Sequence, residues 1–553
     1  MGNDNTHMST GNKGAIGTFF DELDPVVYGI GLGVSVLAII ALVLSPEASR
    51  NFINNAFTWM TTSLGWAYLM VGFFLVVFGL FLLLGPWGNI RIGKPDEDPE
   101  HSFKSYFAML YSAGIAAGIV FWGPAEAVSH YTLYAPPSNS PLAGAADPGT
   151  PAAAVDAVAY TFFHWGISAW SFYVLLALPI AFFAYRYGAP LRISTVLAPF
   201  LGTDNLDGWL PKLIDITGVF ATIGGIATSL GFVGGQFLGG LNYIFGIQTT
   251  DMLTILMITG LTVAFTLSAA LGVEKGIKRV SNFNMVVFFF LMVVAFVFGP
   301  TAYILDLGVE SIGQYVNNFI SVSMYTNSAG FDPAGFVGAW TVFYWAWWFA
   351  WAPFVGLFIA RISRGRTVRQ MVGTGVIAST GATIPWFAAL GGSSIWMENN
   401  GVAPIVETYN NIGYDGLGYP LFEAMLPGAL GVFLMLTFLL LVTTFFVTSA
   451  DSSTLALGML TTGGKEKPST INRTIWGVTM GLLAALLLVF GGANALQTAS
   501  VLTGGPFAIV LLIAVWATIR TFRHVEPVFL TQKEVDQRGS GIDPSEGIGT
   551  DDD

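Results

Sequence analysis

The chain contains no cysteine, five histidines, and only 10% Asp, Glu, Lys and Arg among its 553 residues. Without cysteine there are no disulfides, thiolate metal sites or cysteine nucleophiles. An ordinary soluble domain carries roughly a quarter charged residues, so this composition excludes one. There is no paired-histidine motif, which makes a membrane enzyme a poor fit and leaves no expected transition-metal site. His130 and His164 stand alone in the sequence and read as packing or interface residues.

Lysine and arginine are missing from long stretches: 105–185, 213–274, 280–360, 370–464 and 474–519. What fills those stretches is apolar. Hydrophobic types make up 54% of the chain, in runs such as 66–85, 285–303, 430–447 and 475–490 that recur as far as residue 521. About 20 apolar residues suffice to cross a bilayer as a helix. Inside lipid every backbone polar group must be satisfied within the segment, which helices achieve. The runs are too continuous for barrel strands, where polar and apolar residues alternate. The expected fold class is therefore an all-α integral membrane protein with about twelve transmembrane helices.

Each Lys/Arg-free stretch can hold two spans and a loop. The positive-inside rule puts the basic clusters (91–104, 186–212, 275–279, 361–369, 465–473 and 520–523) in the cytoplasm, and both termini with them. Arg50 is the only basic residue assigned to an outside loop. The expected spans are 26–45, 65–86, 104–134, 159–186, 212–244, 251–272, 281–304, 334–361, 370–391, 426–460, 473–491 and 496–521. The first 25 residues are largely polar and do not resemble a cleavable signal, so the first helix is expected to direct insertion. The formal charge of −12 resides mainly in the polar segments. It fits either ordinary solvated termini or adaptation to a salty cytoplasm, and no nucleic-acid partner is expected.

Glycine and proline cluster at two matching places. The span near 104–134 carries Gly114, Gly118, Gly123 and Pro124, and the span near 334–361 carries Pro353 and Gly356. These are the first helices of two groups of five, as expected of an inverted-repeat transporter. The expected organisation is a tail (1–25), two leading helices and a loop (26–103), a first repeat (104–304), an extracellular amphipathic connector (305–333), a second repeat (334–522) and an acidic tail (523–553).

The densest chemical signal runs from Trp340 to Phe354 and includes Tyr344, Trp345, Trp347, Trp348, Phe349 and Trp351. An interfacial tryptophan belt explains one or two of these, not several turns. A second group, Trp165, Trp170 and Tyr173, lies on the fourth expected span. Aromatic faces without a nearby buried acid suit a quaternary ammonium, held by cation–π attraction at up to about 2 kcal/mol per ring. Aromatic packing between helices is the alternative reading. Ser112, Gly114, Ile115 and Gly118 face a second motif, Phe445, Thr448, Ser449 and Asp451; opened backbone and hydroxyls there make a candidate oxygen-lined sodium site. Hydroxyls that tie helices together are the alternative. Glu126 and Asp451 are read as hydrogen-bonded structural carboxylates or interfacial acids rather than functional ones.

The run from Phe343 through Pro353 to Arg361-Ile362-Ser363-Arg364-Gly365-Arg366-Thr367 resembles the signature of the betaine/choline/carnitine transporters, and the likeness extends from the first span to the last. The resemblance implies two leading helices and two inverted five-helix repeats, as in the leucine-transporter-like fold. It implies secondary transport of trimethylammonium compounds with Trp165, Trp170, Tyr173 and Trp348 as the aromatic box, Trp351 beside the ligand, and Trp345 and Trp347 shaping the pathway. Ser112, Ile115, Phe445, Thr448 and Ser449 match positions framing one sodium site, and Thr222 and Phe354 match parts of a second. Gly114 and Gly118 match the unwound backbone. Members often form trimers, so a homotrimer is the assembly the resemblance suggests.

There are departures. The middle glycine of the family's stretch is Ala116, Ile226 stands where sodium-coupled members can carry a hydroxyl, and Gly118 stands where choline carriers can carry an acid. The tail lacks the basic cluster of osmosensing members. The expectation is a sodium symporter for glycine betaine or a related compatible solute in the plasma (inner) membrane. A proton-coupled choline carrier, a sodium-independent exchanger and a channel are the alternatives.

Overall fold

The computed structural model describes residues 15–142, 147–270, 274–330, 335–465 and 467–525. Among them there are helices, turns and one isolated bridge between Arg91 and Thr367, but no strand. The helices are α1 (Ala15–Glu22), α2 (Pro25–Leu44), α3 (Pro46–Leu84), α4 (Phe103–Val128), α5 (Pro151–Trp165), α6 (Ile167–Tyr187), α7 (Ala198–Leu201), α8 (Trp209–Phe245) and α9 (Asp251–Ala270). There follow α10 (Glu274–Phe298), α11 (Thr301–Ser323), α12 (Phe343–Ile362), α13 (Val368–Val372), α14 (Ser379–Asn399), α15 (Ile405–Ile412), α16 (Gly418–Met425), α17 (Ala429–Leu460) and α18 (Thr470–Val525).

Their starts follow local chemistry. Asp24 caps α2 by accepting from the amides of Val26 and Val27, and Pro25 then needs no donor of its own. Pro151 opens α5 behind a Thr150 cap in the same way, and Pro46 opens α3 without a side-chain cap.

Six helical segments are long and apolar enough to cross a membrane: Pro25–Leu44, Pro46–Leu84, Pro151–Tyr187, Trp209–Phe245, Val337–Ile362 and Thr470–Val525. Two bent pairs also qualify if each counts as one span: Phe103–Gly114 with Gly118–Leu133 (67°) and Asn282–Phe298 with Thr301–Ser323 (108°). Asp251–Thr266 and Ala429–Phe445 are shorter apolar helices. The chain is thus a multi-pass membrane protein. α18 is roughly 84 Å long at 1.5 Å per residue and breaks at Gly492, whose φ of 59° suits glycine, so it has the length for two crossings.

The fourth expected span is not one helix. It breaks at Gly166, where a Cβ would fall 2.4 Å from the Phe162 carbonyl oxygen, and α5 begins as early as Pro151. Much of the segment expected as a connector is helical: α11 begins before it, at Thr301, and buries Ile304, Leu307, Ser311, Tyr315 and Val322 along one face. α12, by contrast, runs unbroken through Pro353, with the irregularity displaced to a π-turn at Val337–Val342. α12 lies centrally, packed against α6, α8 and α18.

Contacts link the loops of five basic clusters, 91–104, 186–212, 361–369, 465–473 and 520–523, at one end of the bundle. Arg186 donates to the Arg91 and Gly93 carbonyls (both 2.7 Å), Arg91 to Gly365 (2.8 Å), and Arg520 to Pro199 (3.0 Å). Lys212 pairs with Asp24 (3.0 Å), and Glu22 accepts from the Ser469 amide (2.9 Å). Arg364 meets Glu97 at 2.5 Å.

The Lys94 amide on the Glu97 carboxylate, helped by the Arg364 guanidinium, holds the Glu97 carboxyl below its usual range. A lowered folded-state pKa stabilises the fold above the ordinary glutamate pKa of about 4.3, and that contribution disappears as pH falls through the folded value. Glu97→Gln should therefore melt slightly below wild type at pH 7 in a detergent thermal melt. The gap should close in acid, and a gap that is constant with pH would contradict the pairing.

Candidate functional site

The break at Gly166 puts Trp165 at the end of α5 and Trp170 and Tyr173 on the first turns of α6. α12 lays Trp348 against them. The Trp165 and Trp348 rings meet edge-to-face at 4.8 Å, Tyr173 and Trp348 at 6.1 Å, and Trp170 and Tyr173 at 6.1 Å. The four expected box residues are therefore contiguous, and all are buried. Tyr111 stacks on Trp170 at 5.7 Å, and Phe387 lies 4.9 Å from Trp165.

Gly114 and Gly118 let α4 approach this cluster. A Cβ at Gly114 would fall 2.4 Å from the Trp170 ring, and one at Gly118 would fall 2.6 Å from Trp347 and 3.3 Å from Trp165. Both flank the 67° bend of the helix.

The rest of the α12 run divides between faces. The Trp347 and Trp351 indoles both donate to the Gly225 carbonyl on α8, at 3.3 and 3.0 Å. Trp347 also stacks on Trp348 at 5.4 Å. Trp345 is turned the other way, onto Phe163 (5.0 Å), Phe172 (5.7 Å) and the surface of α3 at Gly72.

A buried acid sits against the aromatic cluster, contrary to the expectation of aromatic faces without one. Glu126, on α4, accepts from Trp165 Nε1 (2.6 Å) and Tyr344 Oη (2.5 Å) on one oxygen and meets His164 Nδ1 (2.7 Å) on the other. A carboxylate only accepts, so His164 donates from Nδ1, while Nε2 is hydrogen-bonded to the Thr341 hydroxyl at 3.1 Å. His130 Nε2 lies 3.4 Å from the same carboxylate. The His164 carbonyl in turn accepts from Trp348 Nε1 at 3.0 Å.

Glu126 is thus the hydrogen-bonded carboxylate expected, but the two histidines are not isolated. His130 stands one turn beyond Glu126 on the same helical stretch, and His164 reaches it from α5, a contact that separation in sequence hid. The three side chains form the one group of potential metal ligands among the described residues. Hydrogen bonds already occupy both Glu126 oxygens, so the group reads as a structural hub.

At the first expected sodium site, Phe445 and Thr448 lie on α17, which packs against α4, and both are buried. Thr448 Oγ1 donates toward the Thr444 and Phe445 carbonyls (3.1 and 3.2 Å) and accepts from Asn284 Nδ2 on α10 (3.2 Å). Ser112 is half-buried on α4. The side chains of Ile115, Ser449 and Asp451 lie outside the described residues. At the second site Thr222 is buried and donates to the Gly218 carbonyl at 2.7 Å, and Phe354 packs on Trp351 at 5.8 Å. Asn284 was missed in the sequence; the pair Asn282 and Asn284 at the start of an apolar span was the available signal. Trp386 was missed too: it donates to the Ile119 carbonyl (2.9 Å) just after the α4 bend.

Residues 26–527 match the profile described as "BCCT, betaine/carnitine/choline family transporter". The chain belongs to that family. It is a transporter and not an enzyme. It is 41% identical to the glycine betaine transporter OpuD of Bacillus subtilis over 491 residues, covering 88% of this chain and 92% of OpuD. It is 35% identical to glycine betaine transporter 1 of Vibrio parahaemolyticus over 516 residues (92% and 95% of the two chains). It is 34% identical to a glycine betaine/proline/choline transporter of the same organism over 525 residues (91% of each). As a transporter in this family, the chain needs walls that surround a solute, and the Glu126 hub joins the helices that carry the aromatic cluster.

Glu126→Ala leaves three buried donors without an acceptor, each costing about 1–3 kcal/mol. The purified variant should unfold several degrees below wild type in a thermal melt. Glu126→Gln should fall between them, because its amide oxygen still accepts. An unchanged melt for Glu126→Ala would contradict the hub.

Proposed function

We propose that this transporter imports glycine betaine or a related trimethylammonium compatible solute by sodium symport, with alternating access. The contiguous cluster of Trp165, Trp170, Tyr173 and Trp348 carries the reading. A trimethylammonium group donates no strong hydrogen bond, so rings that surround it are its natural partners. The Tyr173 hydroxyl is buried with no hydrogen-bond partner among the described residues, which suits the carboxylate end of a zwitterion. Gly118 brings no acid to the cluster. The Glu126 carboxylate spends its lone pairs on Trp165, Tyr344 and His164. The printed names of OpuD and of the Vibrio relatives support the solute class.

Sodium is the proposed coupling ion. It would be held where Ser112, Ile115, Phe445, Thr448 and Ser449 frame α4 and α17, with Thr222 and Phe354 as parts of a second site. No further cofactor is proposed. Twelve spans arranged as two leading helices and two inverted five-helix repeats, a homotrimer in the plasma (inner) membrane and cytoplasmic termini complete the proposal. The gathering of basic loops at one end supports the orientation. The bend in α4 and the break at Gly166 are the proposed joints. Betaine uptake would serve osmoprotection and fits an acidic chain of charge −12.

The test is uptake of radiolabelled glycine betaine into proteoliposomes with an inward sodium gradient or with potassium in its place. Saturable, sodium-dependent uptake is expected. Trp348→Leu should raise KM at least about tenfold, as loss of one desolvated cation–π contact implies. Equal uptake in potassium would remove the symport, and no saturable uptake would remove the solute assignment.

A further inference from the structure

Where α2, α3, α8 and α18 meet, the structure holds a partly open cavity of about 570 Å³ with no tryptophan in its lining. Ala38 and Leu42 of α2, Phe52 of α3, Phe220 of α8, and Leu487 and Leu502 of α18 line it. An apolar void of about 150 Å³ already holds benzene, so this one has room for a long hydrocarbon chain.

Its walls offer little to a polar solute. The hydroxyls of Ser35, Ser49 and Thr503 are spent on carbonyls of their own or the adjoining helix, Gly31 (2.7 Å), Ala41 (3.0 Å) and Ala499 (2.8 Å). The cavity runs along α2 from Val34 to Ser45. Eleven helical steps cover roughly 16 Å, close to the depth of one leaflet of a hydrocarbon core about 30 Å thick. Val34 and Phe52, at its rim, are exposed apolar side chains on the outer flank of the bundle.

One end of the cavity is chemically different. At the α2–α3 turn stand Ser45, exposed, and then Arg50, also exposed and apart from the five linked basic loops. Arg50 Nε donates to the Phe490 carbonyl at 2.7 Å, one turn beyond the cavity-lining Leu487. Its two Nη groups have no partner among the described residues, and the nearest acid along the helix, Glu47, makes no ion pair with it there. A guanidinium at a membrane interface above an apolar slot one leaflet deep is complementary to a phosphate with an acyl chain beneath it.

We propose that this cavity is a phospholipid site: one acyl chain fills the slot and the lipid phosphate pairs with Arg50. Gly224 is part of the cavity wall, and the adjoining Gly225 carbonyl accepts from Trp347 and Trp351. A bound chain therefore presses on the back of the α8 turn that anchors two tryptophans of α12.

The test is native mass spectrometry of the full chain in detergent, loaded with dioleoylphosphatidylcholine or with dioleoylglycerol, which has the same chains and no phosphate. Wild type should retain one phosphatidylcholine per chain and retain dioleoylglycerol more weakly. Arg50→Gln should cut phosphatidylcholine retention about fivefold, to the dioleoylglycerol level. Ala38→Phe, on the least-packed helix, should abolish retention of both while the protein still elutes as a folded species. Wild type that carries no lipid, only detergent, or a second copy of the chain in place of lipid would overturn the proposal. So would equal retention in all three proteins.

Discussion

Glu126 has no exposed surface, and a carboxylate taken out of water is tolerable only if its oxygens are met by donors. The donors come from two other stretches of chain, Trp165 and His164 at the end of α5 and Tyr344 on α12, and all three meet the acid on α4. Satisfying this one acid fixes how three segments sit against one another. The same contacts set the walls of the aromatic cluster. Trp165 is held by its indole nitrogen, and Trp348 is held one bond further on, through the His164 carbonyl. Four rings that would otherwise pack against whatever is nearest are thereby given fixed edges. The acid also lends the region a negative field while three of its roughly four acceptor sites are taken by Trp165, Tyr344 and His164, which favours a cation that cannot donate.

The second constraint is backbone irregularity. Gly166 separates α5 from α6, so Trp165 and Trp170 can face one space from two helix ends. Gly114 and Gly118 remove the side chains that would collide with Trp170, Trp347 and Trp165. Bulk on α12 and its absence on α4 are two halves of one fit. The bend in α4 frees backbone groups near its middle, and Trp386 meets the Ile119 carbonyl from α14. An opened helix is thus tolerated in an apolar setting because neighbours bond to it.

Much of this was legible in the residues. Long apolar runs and the spacing of basic clusters pointed to a multi-pass helical protein, and five of those clusters meet at one end. The run from Trp340 to Phe354, with Trp165, Trp170 and Tyr173, pointed to the cluster that forms. Other features depend on contacts between distant segments. Glu126 and His130 lie one helical turn apart, but only the crossing of α5 over α4 brings His164 to them. Hydropathy is nearly the same on both sides of Gly166, so a long apolar run read as one span conceals the break. Trp345 shares its helix and residue type with Trp348, yet three residues of helical rotation send it to α3, α5 and α6. Arg50 stood out only as an exception to a charge rule, until the cavity beside it gave it a setting.

The proposed placement of the solute in the Glu126-anchored aromatic cluster is tested most directly by a cryo-electron microscopy structure of the purified transporter with saturating glycine betaine. The account predicts the trimethylammonium nitrogen within about 6 Å of the ring centres of Trp165, Tyr173 and Trp348, with the Trp165 indole still on Glu126. Ligand density elsewhere, with these four rings packed on one another, would contradict it.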